Sequence, residues 1–216
     1  MINTTYDYRN INIPKNDYKS ELVKLNYAKG LNIGYKHERL LAIDLSTTST
    51  GFAFFLRNHL FKFGRIYFPA TTYDTYLASD RAPEMITRVI ELIKRYNPLN
   101  VVIETPPPIN KYSSQKSIDI YNALTPVVDC IHEFCCSSIY FPHKVNCSEW
   151  RSKINVPGCV KPNNAEEDSR EKWKAWSKQC VKSLFDLNLD NDDESDSILI
   201  ALAYQMIREE QSQIKW

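Results

Sequence analysis

A chain of 216 residues, 43% hydrophobic and 25% charged, can bury one sizeable core and has the make-up of a globular protein in water. Its net charge of +1 supplies no global basic field. No apolar run reaches bilayer length, and the N-terminal MINTTYDYRNINIPKNDYK lacks an apolar signal core. A membrane span and secretion are therefore not expected, and the expected setting is the cytoplasm or another reducing intracellular compartment. The six cysteines form no CxxC pair, and His132 with Cys135 has no second pair at zinc-finger spacing, so reduced structural thiols are expected.

Residues 1–36 are polar, rich in Asn and Tyr, and poorly periodic. They read as an extension, with a short helix over SELVKLNYAKG, ahead of one domain over residues 37–216. Residues 39–45 predict a buried strand, and residues 51–57 and 60–68 the next two, turning at Arg57-Asn58-His59. These three make a meander. SDRAPEMITRVIELIKRYNP predicts a helix, with Ser79 or Asp80 as cap and Met85, Ile86, Val89, Ile90 and Ile93 at helical spacing. LNVVIE, residues 99–104, is a short apolar strand covered on both faces, and TPPPINKYS after it is a stiff loop. Residues 113–136 are helical in pattern, with a break or kink near Pro126. SSIYFPHKV predicts a fifth strand. Ser148 can cap a short helix over EWRSKI, and NVPGCVKPNNAEED is loop. SREKWKAWSKQCVKSLF and residues 193–210 predict the last two helices. Three sequential strands followed by alternating helix and strand predict an α/β fold: a mixed five-stranded sheet with helices on both faces, in the order of the ribonuclease H-like fold.

Carboxylates recur at the ends of these elements. Asp44 closes the first strand in LLAIDLSTTSTGFAFF, and Glu104 closes the fourth. Ligands gather at the carboxyl ends of strands in open α/β sheets. A right-handed crossover sets those two strands side by side. In DDESDSILIALA, Asp193 and Asp196 share one face of a first helical turn, and the stripe Ile198, Leu199, Leu202 and Met206 presses that helix on the sheet. Four carboxylates at one point repel, and a hard divalent cation relieves this. Mg²⁺ is the expected ion, with Mn²⁺ as a substitute and two ions per site. One activates a water and the other steadies the leaving oxygen of a phosphodiester.

IDLSTTSTGFAF, VVIETPPP and DESDSILIALA together resemble the RuvC-type Holliday junction resolvases, in particular their divergent phage-type members. The resemblance covers residues 39–208. It implies metal-ligand roles for Asp44, Glu104, Asp193 and Asp196, a phage or viral genome as one source, and a homodimer that resolves four-way junctions by paired incisions. The family's dimer helix corresponds to the segment around residues 117–134. Its apolar residues Ile118, Ile120, Tyr121, Leu124, Val127, Val128 and Ile131 exceed one core-facing stripe, which suits an interface or a wholly buried helix equally. Leu45-Ser46 and Ser197-Ile198 depart from the family's Pro-Gly and Ala-Leu, and PPP replaces a loop ending in an aromatic. These departures bear on junction selectivity rather than on the nuclease fold.

Between Arg151 and Lys182 the chain is locally basic, and DLNLDNDDESD after it is acidic. Lys111, Lys116, Lys144, Arg151, Lys153, Lys172, Lys174 and Lys178 are candidate phosphate contacts, though Lys172 and Lys174 cannot point the same way on one helix. Tyr112 can stack on or wedge between bases at a branch point, as can Ile109. Trp173 and Trp176 are expected to serve helix packing. Two other readings stand beside this one: a flap or general branched-DNA nuclease of the same fold, and an actin-like or sugar-kinase-type ATP-binding protein. IDLSTTSTG also resembles the first phosphate loop of the latter class. Those proteins duplicate the domain, and this chain, with five glycines, has no second loop of that kind.

Overall fold

The computed structural model describes residues 39–56, 59–67, 81–154 and 167–213. The N-terminal extension, Arg57-Asn58, the caps Ser79 and Asp80, and residues 155–166 lie outside the described residues. The strands are β1 (Arg39–Asp44), β2 (Ser49–Leu56), β3 (His59–Tyr67), β4 (Asn100–Thr105) and β5 (Phe141–Asn146). The helices are α1 (Ala82–Tyr96), α2 (Gln115–Cys136), α3 (Cys147–Lys153), α4 (Glu167–Phe185) and α5 (Asp192–Gln213). The sheet order is β3-β2-β1-β4-β5. The first three strands pair antiparallel, whereas β1–β4 and β4–β5 pair parallel. This is the mixed five-stranded ribonuclease H-like sheet with its opening meander.

The central strands are apolar on both faces because both are covered. Leu40, Ala42, Ala53, Phe55 and Val102 face α3, α4 and α5. Leu41, Ile43, Phe52, Phe54, Val101 and Ile103 face α1 and α2. On α1, Met85, Val89, Leu92 and Ile93 are buried at helical spacing. Its N-cap is Arg81, which makes no side-chain cap bond. Asn97 closes the helix with a left-handed backbone, φ 44°, and donates its N–H to the Ile93 carbonyl at 2.8 Å.

Two local expectations change. α2 runs as one helix through Pro126 rather than breaking there. Leu124, Val127, Val128 and Ile131, buried on either side of that proline, hold it to the sheet. Its C-terminal half is thus core, while Ile118, Ile120 and Tyr121 remain partly exposed. The cap of α3 is Asn146, not Ser148: the Glu149 N–H donates to Asn146 Oδ1 at 2.8 Å, and Ser148 Oγ donates to the same oxygen at 2.6 Å. Asn146 ends β5, so strand and helix join without a spacer.

Helix α5 is buried well beyond the expected stripe: every residue from Ile198 to Tyr204 is in the core. It lies between the sheet on one side and α3 and α4 on the other. Tyr204 donates its hydroxyl to Asn100 Oδ1 at 3.3 Å, and the Ser177 and Ser195 hydroxyls meet at 2.9 Å between α4 and α5. The start of the helix is set by a glycine. A Cβ on Gly51 of β2 would lie 2.0 Å from the Asp193 carbonyl oxygen and 2.6 Å from its carbon. Only a residue without a side chain lets the first turn of α5 rest on the sheet there.

Gly51→Ala should therefore push the start of α5 off β2. The expected cost is about 1–3 kcal/mol, the usual penalty for overpacking, read by denaturant unfolding. An alanine variant of unchanged stability would show that the contact is not tight.

Candidate active site

Strand pairing dictates the first half of the site. Ile43 of β1 pairs with Ile103 of β4, so Asp44 and Glu104, one residue further on each, are neighbours on parallel strands. Side chains alternate along a strand. Asp44 lies two residues beyond Ala42 and Glu104 two beyond Val102, and both of those face α3, α4 and α5. The two carboxylates therefore point to the face over which α5 begins. Asn191 opens α5 by accepting the Asp193 N–H at 2.7 Å.

The four expected acids do come together, though not equally. Asp44 is held well above the usual carboxylate range, first by burial, then by the charges of Glu104 and Asp196, by a hydrogen bond with Glu104, and last by Asp193. A bond between two carboxyl groups needs a proton on one of them. Asp196 is pushed up to about 7, chiefly by burial. Glu104 adds to the rise, while the Trp173 N–H, the Arg151 charge and the Ser177 hydroxyl oppose it. Asp193 stands further out. Burial raises it and Asp192 adds to this, against the Ser49 hydroxyl, Arg65 and Lys174. Each of the four is half-buried, so the cluster keeps contact with solvent. Neighbouring acids are used elsewhere: Asp192 pairs with Lys174 at 3.3 Å, and Glu194 is buried.

Among the described residues, no group of three or more Asp, Glu, His or Cys side chains is already arranged to hold a metal ion. The donor set nevertheless fits a hard cation. It is all oxygen, its negative charges are incompletely compensated, and Asp196 Oδ1 is buried without a hydrogen-bond partner. The His132–Cys135 pair offers no alternative centre: His132 Nδ1 lies 3.6 Å from Cys136 Sγ, and Cys135 is buried. The five described cysteines are free thiols.

Two residues border the cluster without an obvious signal in the sequence. Trp173 of α4 donates its indole N–H to Asp196 Oδ2 at 3.0 Å. Cys147, the first residue of α3, has its thiol pushed up to about 12, first by burial and then by Glu104, with Arg151 opposing. A thiol so protonated is inert at neutral pH.

Beside the cluster opens a groove of about 810 Å³. Pro106, Pro107 and Pro108 form one wall with Tyr121 and Thr125 of α2; Cys147, Arg151 and Trp173 form the other. The expected phosphate contacts divide here. Arg151 lies at the groove with its guanidinium carbon 3.8 Å from the Trp173 ring centre, and its Nε is buried without a partner. Lys144 lines the groove too, paired with Asp129 at 2.8 Å. Lys111, Tyr112 and Lys116 are exposed around the start of α2, with Lys111 Nζ 4.9 Å from the centre of the Tyr112 ring. Lys153 is paired with Glu210, Lys174 with Asp192 and Glu171, and Lys178 donates to the Asp190 carbonyl. Lys172 is exposed.

The carboxylate cluster makes the cation-free chain pH-sensitive. Asp44 and Asp196 hold protons more tightly folded than unfolded. Stability without metal should therefore fall as pH rises from the ordinary Asp value of 3.8 through about 7, where Asp196 titrates. Asp196→Asn should flatten that fall, read as Tm in chelator across the range. For a chain of this size each kcal/mol corresponds to about 2–4 °C. A slope identical to that of the wild type would contradict the assignment.

No family model matches the chain, and no curated protein matches it by sequence. Solved structures do match by shape. The Thermus thermophilus RuvC in complex with a Holliday junction substrate is 13% identical, with a TM-score of 0.57 over 82% of this chain and 98% of that one. A second structure of Thermus thermophilus RuvC is 13% identical, with a TM-score of 0.51 over 80% and 96%. The yeast mitochondrial Holliday junction resolvase Ydc2 is 19% identical, with a TM-score of 0.51 over 88% and 86%. The chain therefore has the RuvC-type resolvase fold.

Proposed function

We propose that the chain is a divalent-metal-dependent endodeoxyribonuclease that hydrolyses phosphodiesters in branched DNA, with four-way junctions as its main substrate. The observation that carries this reading is the meeting of Asp44, Glu104 and Asp196, with Asp193 beside them, at the carboxyl ends of two parallel strands. Asp44, Glu104, Asp193 and Asp196 are the ligand set. When bound there, two Mg²⁺ ions, or Mn²⁺ in their place, supply Lewis-acid stabilisation of the phosphate and a water of lowered pKa. Arg151, at the junction of cluster and groove, is the cation best placed to neutralise a bound phosphate.

Lys111, Lys116 and Tyr112, exposed around the start of α2, contact the backbone and bases of an incoming strand. Lys153, Lys174 and Lys178 serve first as ties to neighbouring acids and carbonyls and reach DNA only by exchanging those partners. The partly exposed Ile118 and Tyr121, three residues apart on one face of α2, are the apolar surface through which two copies associate. Two-fold symmetry then sets two sites on opposing strands of a junction.

The test incubates the chain with four-way junctions, flaps and linear duplex in Mg²⁺, Mn²⁺ and chelator. Cutting should require the cation and favour the junction. Asp44→Asn should bind junctions yet cut at least about 100-fold more slowly, the upper range for disturbing even an outer-shell metal partner. A variant that cuts at the wild-type rate would refute the site. Heat stabilisation by ATP with no cutting of any DNA would instead support the kinase-like class. Sedimentation at increasing concentration should show a dimer that Ile118→Glu weakens.

A further inference from the structure

We propose that Trp173 is a positioning residue for the cation site, holding Asp196 through its indole N–H so that the carboxylate meets the ion in one orientation. The inference rests on the metal-nuclease reading above and concerns a residue whose helical spacing marks it only for packing.

Trp173 is buried, and its N–H bonds Asp196 Oδ2 at 3.0 Å. The Ser177 hydroxyl nearby also favours the charged carboxylate, but it is engaged with Ser195 and the Lys174 carbonyl, and Asp196 Oδ1 is buried with no direct hydrogen bond. The charges that act on Asp196 include Glu104, so its carboxylate belongs to the acidic cluster. An aspartate with both oxygens free chooses among rotamers. One tied by a fixed donor has that choice removed before a ligand arrives.

The indole is itself held on several sides. Its ring meets Trp150 edge-on at 5.4 Å and Trp176 at 5.2 Å between centres. The Arg151 guanidinium lies over its face at 3.8 Å. Trp150 belongs to α3, Trp173 to α4 and Asp196 to α5, so three helices converge on this one bond. A cation over the π face also draws electron density from the ring, which makes the N–H a stronger donor. A buried indole N–H seeks an acceptor; Trp150 Nε1 beside it is buried without one, whereas the Trp173 N–H is spent on a carboxylate of the cluster.

Trp173→Phe keeps an aromatic ring in the helix interface and deletes the donor. Mn²⁺ affinity, measured by electron paramagnetic resonance of free Mn²⁺ without DNA, should weaken about tenfold or more. A folded Trp173→Phe chain with wild-type Mn²⁺ affinity would overturn the proposal while leaving the nuclease reading intact. A wild-type chain that binds no Mn²⁺ would overturn both. If Trp173→Phe fails to fold, the unaltered chain still decides: with ¹⁵N-labelled tryptophan, the Trp173 indole N–H resonance should shift on saturation with Mg²⁺. An unmoved resonance in a chain that binds the ion would also overturn the proposal.

Discussion

The structure is organised around a repulsion. Glu104 raises the cost of ionising both Asp44 and Asp196, Asp196 raises that of Asp44, and burial removes much of the water that would screen them. Nothing in the side chains themselves favours this meeting; the backbone imposes it. The β1–β4 pairing puts two acids at adjacent strand ends, and the packing of α5 on the sheet brings the third. The hydrophobic burial of α5 therefore works against the electrostatics of its own first turn. That opposition accounts for the perturbed protonation of Asp44 and Asp196, and on the proposed reading a cation relieves it.

Much of this could be read from the chain. Short apolar runs ending in Asp44 and Glu104 mark central strands, because only strands covered on both faces are apolar throughout. The order of elements is enough to set β1 beside β4, since a right-handed crossover leaves few alternatives. The acids at the start of α5 are legible from helical spacing and a long apolar continuation. The partner of Asp196 is not: Trp173 is 23 residues away on another helix, and no periodicity links an indole nitrogen to one particular carboxylate. Likewise the spacing that marks Asp193 and Asp196 as equals cannot reveal that Asp193 stands further from Asp44, a matter of where α5 rests on β2. Gly51 holds that information, but only its contact with the Asp193 carbonyl makes it readable.

The basic residues teach a similar lesson. A count of lysines between α3 and α5 suggests a continuous cationic surface, whereas the structure employs several of them internally. Lys153 reaches from α3 to Glu210 of α5, and Lys174 from α4 to Asp192 at the start of α5. Such exposed pairs are individually weak, typically below about 1 kcal/mol. Their number matters less than their location, because they surround the helix that carries two of the four acids. Arg151 differs in kind: it is half-buried, stacked on an indole and turned to the groove.

One wall of that groove is Pro106, Pro107 and Pro108, directly after the strand that delivers Glu104. Each proline ring locks its φ, and each following proline restricts the residue before it, so this wall has little freedom to remodel around what it meets. On the proposed reading, compliance must then come from the nucleic acid. A continuous duplex resists bending over a short span, while a branch point is already interrupted and yields at lower cost. Discrimination among substrates can thus arise from the stiffness of one rigid loop, without any side chain that recognises a base.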